Sequence, residues 1–274
     1  MYKLQPLMLF LAKLYVNFTL RKSNVYVVCG IRRSGNHALI SWLIDALEDR
    51  NNVDMKPKRN VWVSESGKTV HLNEVNFFSV FHFIDTIRGS KEIIKKSKHV
   101  IITLEDYIPK KIDPFIPEYA TKIKVSRSLL NIISSRLKRL TDQARVGLDR
   151  GDMSIDTKLL LYAEWIYKEP KDDWIKWVYE KWLSEPKYRK GFLEKLVLSH
   201  DSKTLPSTKF GGGSSFSNVE LGVSQNNPLR RWEQIKIPDR VISLLYNKGL
   251  SLLDAEEREY IMEEYQKRES EFKP

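Results

Sequence analysis

Short β-branched runs alternate along the chain with longer stretches in which apolar residues recur every three or four positions. Residues 25–29, VYVVC, lie between a polar turn and Gly30, which predicts a buried parallel strand. Beyond Gly35, the positions Leu39, Ile40, Leu43, Ile44 and Leu47 share one helix face, so the first unit reads strand, loop, helix. Residues 61–72 predict a hairpin around Ser66 and Gly67, and HVIITLED at 99–106 predicts a second buried strand that ends in two carboxylates. If that strand continues, Asp106 points to the face opposite Glu105. The switch from strand to helix recurs in residues 121–140, where Ile123 and Val125 alternate and Leu130, Ile133, Leu137 and Leu140 follow at helical spacing. A third case runs through Ile175, Trp177 and Tyr179, with a helix from about Pro186.

Strands that alternate with helices predict an α/β chain with a central parallel sheet flanked by helices and with ligands at the carboxyl ends of its strands. That rule lines up Arg33 to His37, Glu105, Arg127 and Tyr179 on one rim. No long linker divides the sequence, so residues 1–274 read as a single domain. Within it, residues 1–23 predict an amphipathic helix packed on the domain, and the Gly/Ser-rich stretch within 205–232 predicts a mobile loop over the rim. Lys13 interrupts the apolar N-terminal stretch, which is shorter than the roughly 20 apolar residues of a spanning helix, so no stable membrane insertion is expected. The tryptophans at 165, 174, 177 and 182 fall at strand and helix spacing and read as core rather than as a sugar platform.

A net charge of +11 predicts attraction to anions without naming one. The single cysteine, Cys29, excludes an intrachain disulfide and suits a reducing, cytoplasmic setting, and no Cys/His cluster at ligand spacing suggests a metal. Chemistry is carried instead by CGIRRSGNHALISWLI at 29–44. Gly30 and Gly35 are spaced as in a phosphate-binding loop, but Asn36 and His37 occupy the places where a nucleotide hydrolase has Lys and a Mg²⁺-holding Ser or Thr. Backbone amides at the helix start, with the Ser34 hydroxyl, suit a phosphate, while Arg32 and Arg33 must supply the countercharge that a metal would otherwise give.

RRSGNHALISWL resembles the 5′-phosphosulfate loop of the sulfotransferases, enzymes that take a sulfuryl group from 3′-phosphoadenosine 5′-phosphosulfate (PAPS). VSRSLLNIISSRL resembles that family's 3′-phosphate motif, an Arg closing a strand with a Ser eight residues later, and Arg127 and Ser135 have that spacing. The resemblance covers roughly residues 24–235, although segments 50–98 and 141–170 carry none of it. It implies a sulfotransferase-like nucleotide-binding architecture in which PAPS is bound without a metal and released as the 3′,5′-bisphosphate (PAP). The acceptor is a hydroxyl, or less readily an amine, on a small molecule or carbohydrate. The resemblance also implies that Arg32, Arg33, Ser34, Gly35, Asn36 and His37 hold the 5′ end and Arg127 and Ser135 the 3′-phosphate. Tyr179 and Phe216 then lie near the adenine, with Phe210 as a further ring, and Arg230 or Arg231 closes over the 3′-phosphate. Arg33 stands where the family stabilises charge on the bridging oxygen, and the general base is Glu105 or His37. His37 could instead donate to the sulfonate.

The sequence departs from the family at His37, which replaces a usual Thr, at Ala38, which replaces a stacking Trp, and in LRRW at 229–232, where an Arg-Lys-Gly triplet is usual. Two other readings stay open. One is a kinase or nucleotide hydrolase with an altered loop, and the other is a basic nucleic-acid-binding protein, although no helix-turn-helix, RNA-binding strand or zinc-finger pattern supports the latter.

Overall fold

A computed structural model of the chain describes residues 5–58, 61–72, 80–106, 115–145, 154–167, 173–202 and 229–271. The chain order is α1 (Gln5–Leu20), β1 (Asn24–Gly30), α2 (Asn36–Glu48), β2 (Met55–Lys58), β3 (Val61–Ser64), β4 (Thr69–Leu72), α3 (Val80–Gly89), α4 (Lys91–Ile94) and β5 (His99–Glu105). It continues through β6 (Thr121–Ser126), α5 (Leu129–Arg145), α6 (Thr157–Tyr167), β7 (Trp174–Val178), α7 (Tyr179–Ser184) and α8 (Pro186–Lys195). A 3₁₀ turn at Arg231–Gln234 precedes α9 (Asp239–Lys248) and α10 (Ala255–Glu271).

Seven strands form one sheet in the order β2-β3-β4-β5-β1-β6-β7. The strands from β4 to β7 in that order run parallel, and β2 and β3 add an antiparallel edge. The protein is therefore an α/β fold with a mostly parallel central sheet flanked by helices, as the alternation of runs predicts. Alternation within the strands divides the core. Val25, Val27 and Cys29 face a cluster with α1, α3 and α4, while Tyr26 and Val28 face one with α2, Trp177, Trp182 and α8. A third cluster joins α5, α6, α9 and α10 around Ile31 and Trp232. The hairpin of β3 and β4 forms as expected, with its turn hydroxyls gathered by a carboxylate from α2: Ser64, Ser66 and Thr69 donate to Glu48 at 2.8, 2.6 and 2.7 Å.

Register decides which residues reach the rim together. Gly30 of β1 is level with Glu105 of β5 on one side and Val125 of β6 on the other. After β1 the chain crosses to the far edge at β2 and builds inward through β3 and β4 to β5 beside β1, then places β6 on the opposite side of β1. This reversal puts a crevice at the carboxyl ends of β5, β1 and β6.

Three expectations change. Tyr179 does not end a strand but opens α7, since β7 stops at Val178. Asp106 does not extend β5. Its φ of 50° turns the chain, and its N–H donates to the Gly30 carbonyl at 3.0 Å. The N-terminal helix is apolar on both sides rather than amphipathic, because Val16 and Leu20 are buried whereas Leu9, Phe10, Leu11, Leu14 and Phe18 are exposed. The four tryptophans are packing groups, with Trp165 edge-on to Trp174 and Trp177 against Trp182 at centroid distances of 5.4 and 5.3 Å.

Trp177 is fully buried between the sheet and α7. Trp177→Ala is expected to lower the unfolding free energy by about 3–5 kcal/mol in urea denaturation, because the cavity it leaves cannot collapse against a rigid sheet.

Candidate functional site

The loop from β1 to α2 is shaped by what its residues cannot avoid. Gly35 has φ 100°, and a Cβ there would lie 2.5 Å from the Tyr179 ring. At Gly30 a Cβ would lie 2.2 Å from the Asn36 side chain. Both glycines are thus required by close approach. Arg33 also adopts a positive φ, 77°, a strained value for a residue with a side chain. Helix α2 starts at Asn36, and its Ala38 and Leu39 N–H groups donate to the Gly35 carbonyl at 3.0 and 3.1 Å.

Asn36 binds the loop into a unit. Its amide nitrogen donates to Glu105 at 2.7 Å and to the Ile31 carbonyl at 3.4 Å, and its oxygen accepts from the Ser34 hydroxyl at 3.0 Å. The fully buried Ser34 hydroxyl therefore serves the loop itself and does not face a ligand, contrary to its expected place in the phosphate cradle. Arg32 is likewise engaged, with Nε 3.5 Å from Glu105, and its N–H donates to Asp106 at 2.8 Å. Glu105, only 3% exposed in its side chain, thus receives both Asn36 and Arg32. His37 stands half-buried in the first turn of α2.

The second motif turns toward the first. Arg127, 94 residues from Arg33 in sequence, donates from Nη1 to the Arg33 carbonyl at 3.1 Å. In the other direction, Arg33 Nε donates to the Ser135 hydroxyl at 3.0 Å. The Arg127 guanidinium lies 4.4 Å from the centroid of the Tyr179 ring, the same ring that packs on Gly35. Tyr179 is therefore wedged between the loop and the arginine.

The surroundings of this crevice are strongly cationic. Burial pulls the Arg33 guanidinium below its usual value and neighbouring Arg139, Arg127 and Arg136 add to this, while Glu105 opposes it. Arg127 is lowered by burial against the countering fields of Tyr179, Glu180 and Tyr167. Arg231 is pulled down to about 10, first by burial and then by Arg127 and Arg33. Like charges held this close in a partly desolvated crevice favour a multiply charged anion. No group of His, Cys, Asp or Glu side chains among the described residues could hold a metal ion.

The structure separates the two closing arginines. Arg231 is the one near Arg33, Arg127 and Tyr179. Arg230 turns away to pair with Glu233 at 3.0 Å and with Glu256. Asn131 sets this division, since its amide donates to the Leu229 carbonyl at 2.6 Å and its oxygen accepts the Arg231 N–H at 2.8 Å. Phe210, Phe216 and the Gly/Ser-rich stretch lie outside the described residues.

Several contributors escape a motif search. Arg136 is buried, pairs with Asp106, and donates to the Arg32 carbonyl at 3.4 Å. Behind Arg127, the Tyr167 hydroxyl donates to the Arg127 carbonyl at 2.5 Å, and Glu180 and Glu257 accept from Ser128, the residue that caps α5. For Asn131, which positions Arg231, one signal did exist. Asn131, Ser134, Ser135 and Lys138 form a polar stripe at helical spacing, unusual on a segment whose other residues demand burial, and the first three are buried. Of the other histidines, His71 is buried, shares a 2.7 Å hydrogen bond with Thr103 and is within the electrostatic reach of His37, whereas His200 faces Asn51.

Comparison of the chain with family models, curated proteins and solved structures gives no match.

Glu257 supports Arg127 at a measurable electrostatic cost. Burial raises its carboxyl from 4.5 to about 7, with Asp254 adding to the rise and the hydrogen bonds from Ser128 and Leu130 opposing it. The folded state thus holds this proton more tightly than the unfolded chain, and the group's contribution to stability is lost as pH rises from about 4.5 through 7. Glu257→Gln, which keeps an acceptor for Ser128 and Leu130, is expected to flatten the decline of stability in that window in urea titrations from pH 5 to 8. The variant gains about 1–3 kcal/mol on the wild type at the alkaline end.

Proposed function

We propose that the chain is a metal-independent sulfotransferase that moves a sulfuryl group from PAPS to a hydroxyl on a small molecule or carbohydrate, with a sulfotransferase-like nucleotide-binding architecture. One observation carries this reading. The residues that resemble the 5′-phosphosulfate loop and those that resemble the 3′-phosphate motif meet through the Arg127–Arg33 and Arg33–Ser135 hydrogen bonds, at the carboxyl end of the central strands. The site residues fit such a donor. Gly35 lets the Tyr179 ring close on the loop, α2 offers its amino terminus, and Arg33, Arg127 and Arg231 supply positive charge without a metal.

PAPS supplies a sulfuryl group on a phosphate leaving group, and the protein has three tasks. The first is to hold both phosphorylated ends: α2 and Arg33 face the 5′ end, while Arg127, Ser135 and Arg231 face the 3′-phosphate. Ser135 then exchanges its bond from Arg33 for one to phosphate, which frees the Arg33 guanidinium for the second task, neutralising charge on the departing 5′-phosphate oxygen. Arg33 does this electrostatically, because a guanidinium does not give up its proton at neutral pH. The third task is to accept the acceptor's proton as the oxygen–sulfur bond forms and the sulfur–oxygen bond to the phosphate breaks. Of the two candidate bases, Glu105 has its oxygens engaged by Asn36 and Arg32, which makes it a positioning residue for the loop. We therefore assign the base to His37, a half-buried imidazole at the start of α2 and of the type used most often in this role.

The kinase or hydrolase reading is disfavoured by Asn36, whose amide is spent on Glu105, Ile31 and Ser34 in the position where a triphosphate loop needs its lysine.

Titration calorimetry in EDTA is expected to show PAP binding to the wild type and a loss of about 2 kcal/mol in Arg127→Ala, the size of a lost charge-assisted contact. Arg230→Ala is expected to bind like the wild type. Binding of ATP that requires Mg²⁺ and surpasses that of PAP would overturn the assignment in favour of phosphoryl chemistry.

A further inference from the structure

We propose that the outward face of α1, together with the cations of α4 and its C-terminal flank, docks on an anionic lipid surface. This is independent of the donor site and rests on a different part of the molecule.

The helix presents apolar residues where a packed helix presents polar ones. Leu11, Leu14, Tyr15 and Phe18 form a stripe at spacings of three and four, and Leu11, Leu14 and Phe18 are about half exposed although Val16 and Leu20 on the other side are buried in the core. The stripe borders an open hollow of about 660 Å³, lined also by Asn17 and Arg21. A contiguous apolar surface of this kind marks an interaction site. Cations sit directly on it. The Arg21 guanidinium is 4.1 Å from the centroid of the Phe18 ring, Lys95 Nζ is 5.9 Å from the same ring, and Lys91 Nζ is 5.7 Å from that of Tyr15. Lys22 and Lys96 are exposed beside them. Glu92, 3.9 Å from Lys95, offsets one of these charges, and α1 itself contains no acidic residue.

That combination favours lipid over a protein partner. Aromatic and leucine side chains at the depth of the headgroups, with lysine and arginine flanking them, are the pattern of a helix that lies in a membrane interface. The bound anion is the lipid phosphate or carboxylate, toward which clustered cations are drawn near a charged surface. The 16 described residues of α1 rise about 24 Å, against a hydrocarbon core of about 30 Å. No helix among the described residues is long and apolar enough to cross a membrane. Packing of Val16 and Leu20 on the core instead holds α1 flat, with its outer face toward the surface. Phe18 and Arg21 precede β1, at the end of that strand away from Gly30 and the arginine cluster, so docking there leaves the crevice accessible.

The test is vesicle flotation of the full chain with phosphatidylcholine vesicles, and with vesicles in which about 30% of the lipid is phosphatidylserine. Binding to the anionic vesicles is expected to exceed binding to neutral ones by about tenfold or more, and to fall steeply in about 0.5 M salt. The Leu14→Ser/Phe18→Ser double variant is expected to lose binding to both. Arg21→Glu/Lys95→Glu is expected to lose the preference for anionic lipid, while circular dichroism and PAP titration match the wild type for both variants. Absence of flotation with either vesicle, or flotation unchanged in both variants, overturns the proposal. So does a dimer on gel filtration that Leu14→Ser/Phe18→Ser dissociates while vesicles remain unbound, since the face then belongs to a second copy of the chain. Flotation is the readout and PAP titration only a control for folding, so the two proposals fail separately.

Discussion

The Arg127 guanidinium on the Arg33 carbonyl is the contact on which the organisation of the crevice depends. It joins the end of β6 to the loop after β1, and it does so from a buried position, sandwiched by Tyr179. A buried guanidinium is costly unless its donors and its charge are met. Here one donor goes to a carbonyl whose residue is itself strained, so the contact restrains Arg33 in a conformation that a free loop would leave. The backbone of Arg127 is restrained in turn by Tyr167, and the helix that follows is capped by Ser128, which Glu180 and Glu257 hold. Rigidity at the rim therefore comes from behind the crevice as much as from within it.

Charge is distributed in the same layered way. Facing the crevice, arginines depress one another and are only partly answered by Glu105. Behind it, Glu180 and Glu257 are raised by burial and take hydrogen bonds from the start of α5. Positive charge gathers at the front and carboxyls that resist ionising lie behind, so a multiply charged anion bound there would add stability. Asn36 ties Glu105 to Ser34 and Ile31 where a cation-binding loop would direct a lysine and a hydroxyl outward.

The strands and the helices behind them were legible in the sequence because each element satisfies a local rule. The β-branched run of β1, the alternation of β6 and the three-to-four spacing of α2 and α5 are set by which side chains must leave water; β1, β6 and α2 appear within a residue or two of their expected limits, while α5 runs five residues past Leu140 to Arg145. The hairpin of β3 and β4 was readable from Ser66 and Gly67. Tyr179 was misassigned because alternation cannot tell where a strand ends when the next helix also starts with a buried ring. The outer face of α1 was misjudged because a packed helix ordinarily turns polar residues to solvent, whereas here Lys13 is half-buried and the exposed positions are leucine and phenylalanine.

By itself, then, the sequence determined the α/β class, the positions of the two basic turns, and the absence of a lysine and a hydroxyl where a metal-assisted loop would need them. These are properties of residue type and short spacing. Only the tertiary structure decided which side chains share the crevice, because that depends on register: Gly30 level with Glu105 and Val125 brings three loops together. It alone separated Arg231 from Arg230, through the two hydrogen bonds of Asn131, and turned the Ser34 hydroxyl inward to Asn36. Adjacent residues of the same chemistry cannot be told apart by pattern; the difference lies in which way the backbone faces when distant strands pair.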